Sequence, residues 1–148
     1  MEIKSILWPT DLSEKAAEAL PLVTSLSEKY QAEIHLVYVV EDIGRFGAWY
    51  GDFDYSHIEK LQEIERKKAE QELESICSNH LKGCPLYIRH IATGDPASEI
   101  LKAIDDEKPD LVILATQGRQ GRFGFGGVAE KVIRHSPAPV LSVPVKAV

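Results

Sequence analysis

Cysteine is scarce. Cys77 and Cys84 are the only two in 148 residues, they form no CxxC spacing, and no histidine cluster lies near them. Nothing here supports zinc or redox chemistry, and both read as ordinary buried or half-buried thiols. His35, His57, His80, His90 and His135 are scattered at no ligand spacing, so the sequence supports no metal assignment. Basic residues are also in deficit, 17 Lys and Arg against 23 Asp and Glu for a net charge of -6. That balance argues against a nucleic-acid or acidic-membrane partner and favours neutral or small-molecule ones. No apolar run approaches the roughly 20 residues of a membrane span. The opening Met1-Glu2-Ile3-Lys4 passes into a strand pattern without the apolar stretch and cleavage site of a signal peptide, so a soluble, cytoplasmic protein is expected. What is present is apolar content, 44% of the residues, enough at this length to fill one core. One domain over residues 1–148 is expected.

The hydrophobic pattern switches repeatedly between short β-rich runs and helical periodicity, the mark of βαβ units around a parallel sheet. Five runs read as strands: Lys4 to Trp8, Glu33 to Val40, Leu86 to Ala92, Asp110 to Thr116 and Pro139 to Val143. The second and fourth are nearly continuous Ile, Leu and Val, as central strands covered on both faces should be. A first helical segment runs from about Ser13 to Tyr30 with Ala16, Leu20, Val23 and Leu26 on one face, and Pro21 should kink it or divide it in two. A second, Ser56 to Leu81, is heavily charged. Ile58, Leu61, Ile64, Leu73 and Ile76 form its expected buried stripe, with Gly83 as the stop. Asp95-Pro96 opens a third, whose Ala97, Ile100, Leu101 and Ile104 face inward. A fourth runs from about Gly127 to His135.

Right-handed crossovers and a doubly wound arrangement give an open five-stranded parallel sheet of order 3-2-1-4-5. The switch point then falls between strands 1 and 4, which selects the loops Pro9-Thr10-Asp11 and Ala115-Thr116-Gln117-Gly118 as the place for a ligand. Gly118 to Gly127 is glycine-rich and leads into a helix. Its backbone N–H groups could turn toward an anion, with Arg119 and Arg122 for charge pairing. A solvated surface loop would read the same way. Asp11-Leu12-Ser13-Glu14 has capping-box spacing, which makes Asp11 a helix cap, a ligand for a nucleoside, or both. The long connection from Glu41 to Tyr55 carries Phe46, Trp49, Tyr50, Phe53 and Tyr55 and suits either an interface or a lid.

Five segments, in order, resemble the universal stress protein family across essentially the whole chain. They are Ile6 to Ser13, His35 to Val40, Gly94 to Ile100, Asp110 to Gly118, and Val128 to Ile133 followed by Ser136-Pro137-Ala138-Pro139-Val140-Leu141. The resemblance implies a Rossmann-like fold of the adenine nucleotide alpha-hydrolase type. It also implies an adenine nucleotide at the switch point, ATP or AMP, with magnesium accompanying ATP and no cofactor required. The implied contacts are Pro9, Thr10, Asp11, Val39, Ala115, Gln117, Gly118, Arg119, Gly121, Gly126, Gly127 and Val128, with Val39 at the position that lines the adenine. In ATP-binding members the motif is Gly, two residues, Gly, nine residues, then Gly with Ser or Thr. Here Ala115 stands for the first Gly, Gly118 matches the second, seven residues precede Gly126, and Gly127 replaces the hydroxyl residue. The adenosine half is therefore better matched than the phosphate half. The resemblance further implies a homodimer formed through the last strand, at Val140, Leu141, Ser142 and Val143, with Pro144 limiting the ladder.

These residues bear on three functions. A nucleotide-responsive stress protein needs a binding site and, at most, weak ATP hydrolysis. No catalytic set is visible, since Asp11 is the only acid or base in the switch-point loops and no P-loop is present. A receiver or adenylating enzyme of similar fold would need an acidic cluster or a Ser-Gly-Gly loop after strand 1, and neither occurs. The remaining rival is a dimeric interaction protein whose phosphate site has decayed.

Overall fold

The computed structural model describes residues 2–12, 16–41, 55–80, 87–116 and 127–144. Its strands are β1 (Ser5–Pro9), β2 (Glu33–Glu41), β3 (Tyr87–Gly94), β4 (Leu111–Ala115) and β5 (Val140–Val143). A 3-10 turn (Ala16–Ala19) leads into α1 (Leu20–Tyr30), and α2 (Tyr55–His80), α3 (Pro96–Glu107) and α4 (Val128–His135) follow. All pairings are parallel, and the order is β3-β2-β1-β4-β5, as the pattern of alternating elements predicts.

Because side chains alternate across a strand, the sheet has two distinct apolar faces. Ile6, Trp8, Ile34, Leu36, Tyr38, Val40 and Ile113 pack against α1 and against Ala69, Leu73 and Cys77 of α2. Leu7, Val37, Val39, Val112 and Leu114 pack against Ala97, Ile100 and Ile104 of α3 and Val128, Ala129 and Val132 of α4. Coverage on both faces is what the uninterrupted apolar runs of β2 and β4 require.

Local chemistry sets the element ends. The expected break at Pro21 takes the form of a 3-10 turn followed by α1, with Pro21 in the first turn, where a missing N–H costs nothing. Asp95 caps α3, its Oδ2 accepting from Ser98 N at 3.1 Å and from Ser98 Oγ at 2.9 Å. Gly94, at φ 150°, turns β3 into that cap, and a Cβ there would lie 3.0 Å from Glu99 Oε1. The stripe expected on α2 holds only in part. Leu73 is buried, whereas Leu61 is 51% and Ile64 62% exposed. At about 1.5 Å per residue a 26-residue helix is longer than the strands it packs on, so it cannot be covered by the sheet along its whole length. Ile58 and Cys84 lie outside what is described of side chains.

Candidate functional site at the switch point

Hydrogen-bond directions along β1 explain why the sheet opens where it does. Ser5 O accepts from Asp110 N at 2.9 Å, on the β4 side, while Glu33 N donates to Lys4 O at 3.0 Å and Thr10 N to Val37 O at 2.9 Å, on the β2 side. Alternate residues therefore point to opposite neighbours, and Pro9 faces β4. It has no N–H to give. The β1–β4 register accordingly covers only Ile6↔Leu111 and Leu7↔Val112, whereas β1 and β2 stay paired through Pro9↔Val37. The pairing of the two central strands thus ends at Leu7, at the switch point where an open α/β sheet takes its ligands.

Thr10 and Asp11 sit at that switch point, each only 3% exposed. Leu12 follows with φ 64°, a left-handed conformation that costs an L-residue roughly 1–2 kcal/mol. Its N–H donates to Thr10 Oγ1 at 3.1 Å, which fixes the turn. Leu12 is therefore not in the helical conformation that the capping-box spacing expects of it, and Ser13 and Glu14 of that box lie outside the described residues. Strain in a bulky residue at a ligand crevice marks a backbone held in place by its surroundings.

The other expected contacts divide between described and undescribed segments. Val39, buried on β2, lies two residues past the partner of Pro9 and so overhangs the end of β1. Ala115 ends β4 and is buried, and Thr116 N is tied to Val143 O at 3.0 Å. Gly127 precedes α4 with no side-chain cap, and Val128 is buried at its first turn. The strand order thus brings Pro9, Thr10, Asp11, Val39, Ala115, Gly127 and Val128 to the carboxyl ends of the central strands. Gln117, Gly118, Arg119, Gly121, Arg122 and Gly126 lie outside the described residues, as do Phe46, Trp49, Tyr50 and Phe53. Val140, Leu141, Ser142 and Val143 form the edge strand β5, with Leu141 exposed.

One cluster contradicts the view that the histidines are scattered. His35 on β2 and His90 on β3 meet, Nδ1 to Nε2, at 3.0 Å, and Glu107 at the end of α3 lies 3.8 Å from His35 Nδ1. Adjacent strands bring together residues 55 apart in sequence, which no spacing rule along the chain could show. Burial holds the His90 imidazole below its ordinary 6.5, Glu107 opposing that shift and His35 adding to it.

An open, doubly wound parallel sheet with a crevice at its switch point defines a Rossmann-like nucleotide-binding class of fold. Residues 2–144 match the Universal stress protein family, and the chain belongs to that family. A universal stress protein of Methanocaldococcus jannaschii is 30% identical over 142 residues, covering 95% of this chain and 81% of the relative. Another protein of that organism has a solved structure that superimposes with a TM-score of 0.83 at 27% identity, covering 100% of both chains. At lower identity the fold extends to an Arabidopsis thaliana family member solved with AMP bound (TM-score 0.69, 16% identity, covering 97% of this chain and 93% of that one). It extends also to a universal stress protein solved with cAMP (TM-score 0.62, 17% identity, covering 99% and 100%). Among the described residues no helix is long and apolar enough to cross a membrane.

Proposed function

We propose that this chain is a stress-response binding module that takes an adenine nucleotide, AMP or ATP, at the β1–β4 crevice and works as a homodimer. The observation that carries the reading is the pair Thr10 and Asp11, buried at the switch point just past Leu7, where the β1–β4 pairing ends. Family members solved with AMP and with cAMP support the ligand class. Asp11 is the group assigned to the nucleoside and Val39 the apolar wall for the base. The glycine-rich segment ending at Gly126 and Gly127 is assigned to phosphate.

Isothermal titration with AMP and, separately, ATP at matched magnesium tests the reading. Removing one hydrogen bond to a charged group costs about 1.5–3 kcal/mol, so Asp11→Ala should weaken binding by roughly 10- to 150-fold. A specific observation favours the rival. Gly127 supplies no hydroxyl at the start of α4. If neither nucleotide binds at millimolar concentration, the protein is a family member with a decayed phosphate site. The dimer is assigned to β5, the last strand of the sheet among the described residues, which exposes Leu141. A monomer mass at high concentration would sink it, and Leu141→Asp should shift the mass toward monomer if it is right.

A further inference from the structure

We propose a second site, at the opposite end of the sheet, that binds a divalent transition-metal ion of the zinc type through His35 Nδ1, His90 Nε2 and Glu107. The three ligand atoms lie within 4.8 Å of one another. Zinc–ligand bonds of roughly 2.0–2.1 Å in a tetrahedron place ligand atoms about 3.3 Å apart. The separations from His35 Nδ1, 3.0 Å to His90 and 3.8 Å to Glu107, bracket that distance. Glu107 is the last residue of α3 and is partly exposed, so its side chain can close the remaining gap.

Three features make this more than a pair of neighbouring imidazoles. His35 Nε2 lies 3.0 Å from Glu33 Oε1, which accepts its proton and leaves Nδ1 with a lone pair aimed at His90. A carboxylate behind a ligating histidine is the arrangement that orients metal ligands and raises their basicity. His35 is only 3% exposed, so its ring is held in this orientation by packing as well as by the bond. The end of α3 adds the negative pole of a helix, which favours a cation. In the metal-free protein His90 Nε2–H donates to His35 Nδ1. On binding, His90 shifts its proton to Nδ1 and gives Nε2 to the ion.

Access comes from the β3 edge. His90 and Glu107 line a depression of about 440 Å³ shared with Arg66, Arg89, Lys102 and Asp106. Three protein ligands leave one coordination position for water or an anion on that side, the open arrangement of non-structural zinc sites. The site lies near the start of β2, whereas the nucleotide crevice is at the strands' carboxyl ends, so each can be tested without the other.

The experiment is titration of the full chain, without nucleotide, with Zn²⁺ in competition with a chromophoric chelator, and with Co²⁺ followed by its visible absorption. One Zn²⁺ per chain and a four-coordinate Co²⁺ spectrum are expected. His90→Ala and Glu107→Gln alter partly exposed positions and should weaken binding, His90→Ala by about 100-fold or more. Glu33→Gln should weaken it by roughly 10- to 100-fold, as loss of an outer-shell partner does. His135→Ala, on the exposed face of α4, should leave it unchanged. Circular dichroism of each variant separates loss of the site from loss of the fold. No stoichiometric Zn²⁺ uptake by the wild type, or a folded His90→Ala that binds as tightly, would overturn the proposal and leave a hydrogen-bonded histidine pair.

Discussion

Ile100→Ala tests whether α3 holds one face of the sheet in place. Ile100 is 1% exposed, on the face that also contains Leu7, Val37, Val39 and Leu114. The substitution removes three buried carbons, worth about 0.8 kcal/mol apiece in transfer free energy. The cavity left behind brings the cost to about 3–4 kcal/mol, within the range of about 2–5 found for such truncations. For a chain of this length each kcal/mol moves Tm by roughly 2–4 °C, so a fall of about 6–16 °C is expected. Ile133→Ala is the control. Ile133 is 39% exposed on α4, and its loss should cost under about 1 kcal/mol. Urea unfolding followed by Trp8 fluorescence measures both, since Trp8 is 1% exposed and packs on the other face of the sheet. Equal costs for the two variants, or under about 1 kcal/mol for Ile100→Ala, would refute the packing argument.

Other outcomes follow from single contacts. Asp110 Oδ2 accepts from Lys4 N at 2.9 Å and Ser5 N at 3.1 Å, clasping the start of β1 to β4. Asp110→Ala should therefore cost about 1.5–3 kcal/mol in urea unfolding, as loss of bonds to a charged acceptor does. Lys108 ends α3 at φ 47°, and Lys108→Gly should raise Tm slightly, by relief of about 0.5–1 kcal/mol, because glycine adopts that conformation without a Cβ clash. In chelator-treated protein, the lowered affinity of His90 for a proton means the unfolded chain binds more protons below pH 6.5. Stability should be full above that pH and fall as pH drops from 6.5 through the lower folded value. His90→Gln should flatten that part of the pH profile. The charged and titratable groups that act on His90 are Glu107 on α3 and His35 on β2, the latter at 3.0 Å.

The strand and helix pattern, the order of the sheet and the switch point were legible in the sequence because each rests on short-range chemistry. Apolar periodicity marks the elements, Asp95-Pro96 marks a helix start, Pro21 marks a break in the first helical segment, and the handedness of crossovers does the rest. Pro9, Thr10 and Asp11 could be chosen because any doubly wound sheet puts its ligand crevice at such loops. Tertiary structure decided what depends on register and on which strand faces which. It showed that Pro9 points toward β4 and ends the ladder, and that Leu12 takes a left-handed turn instead of a first helical position. It also showed that Leu61 and Ile64 lie outside the core despite their helical spacing. The joining of His35, His90 and Glu107 was hidden most completely. Their spacing along the chain carries no signal, because β2–β3 pairing and the length of α3 bring them within reach of one another.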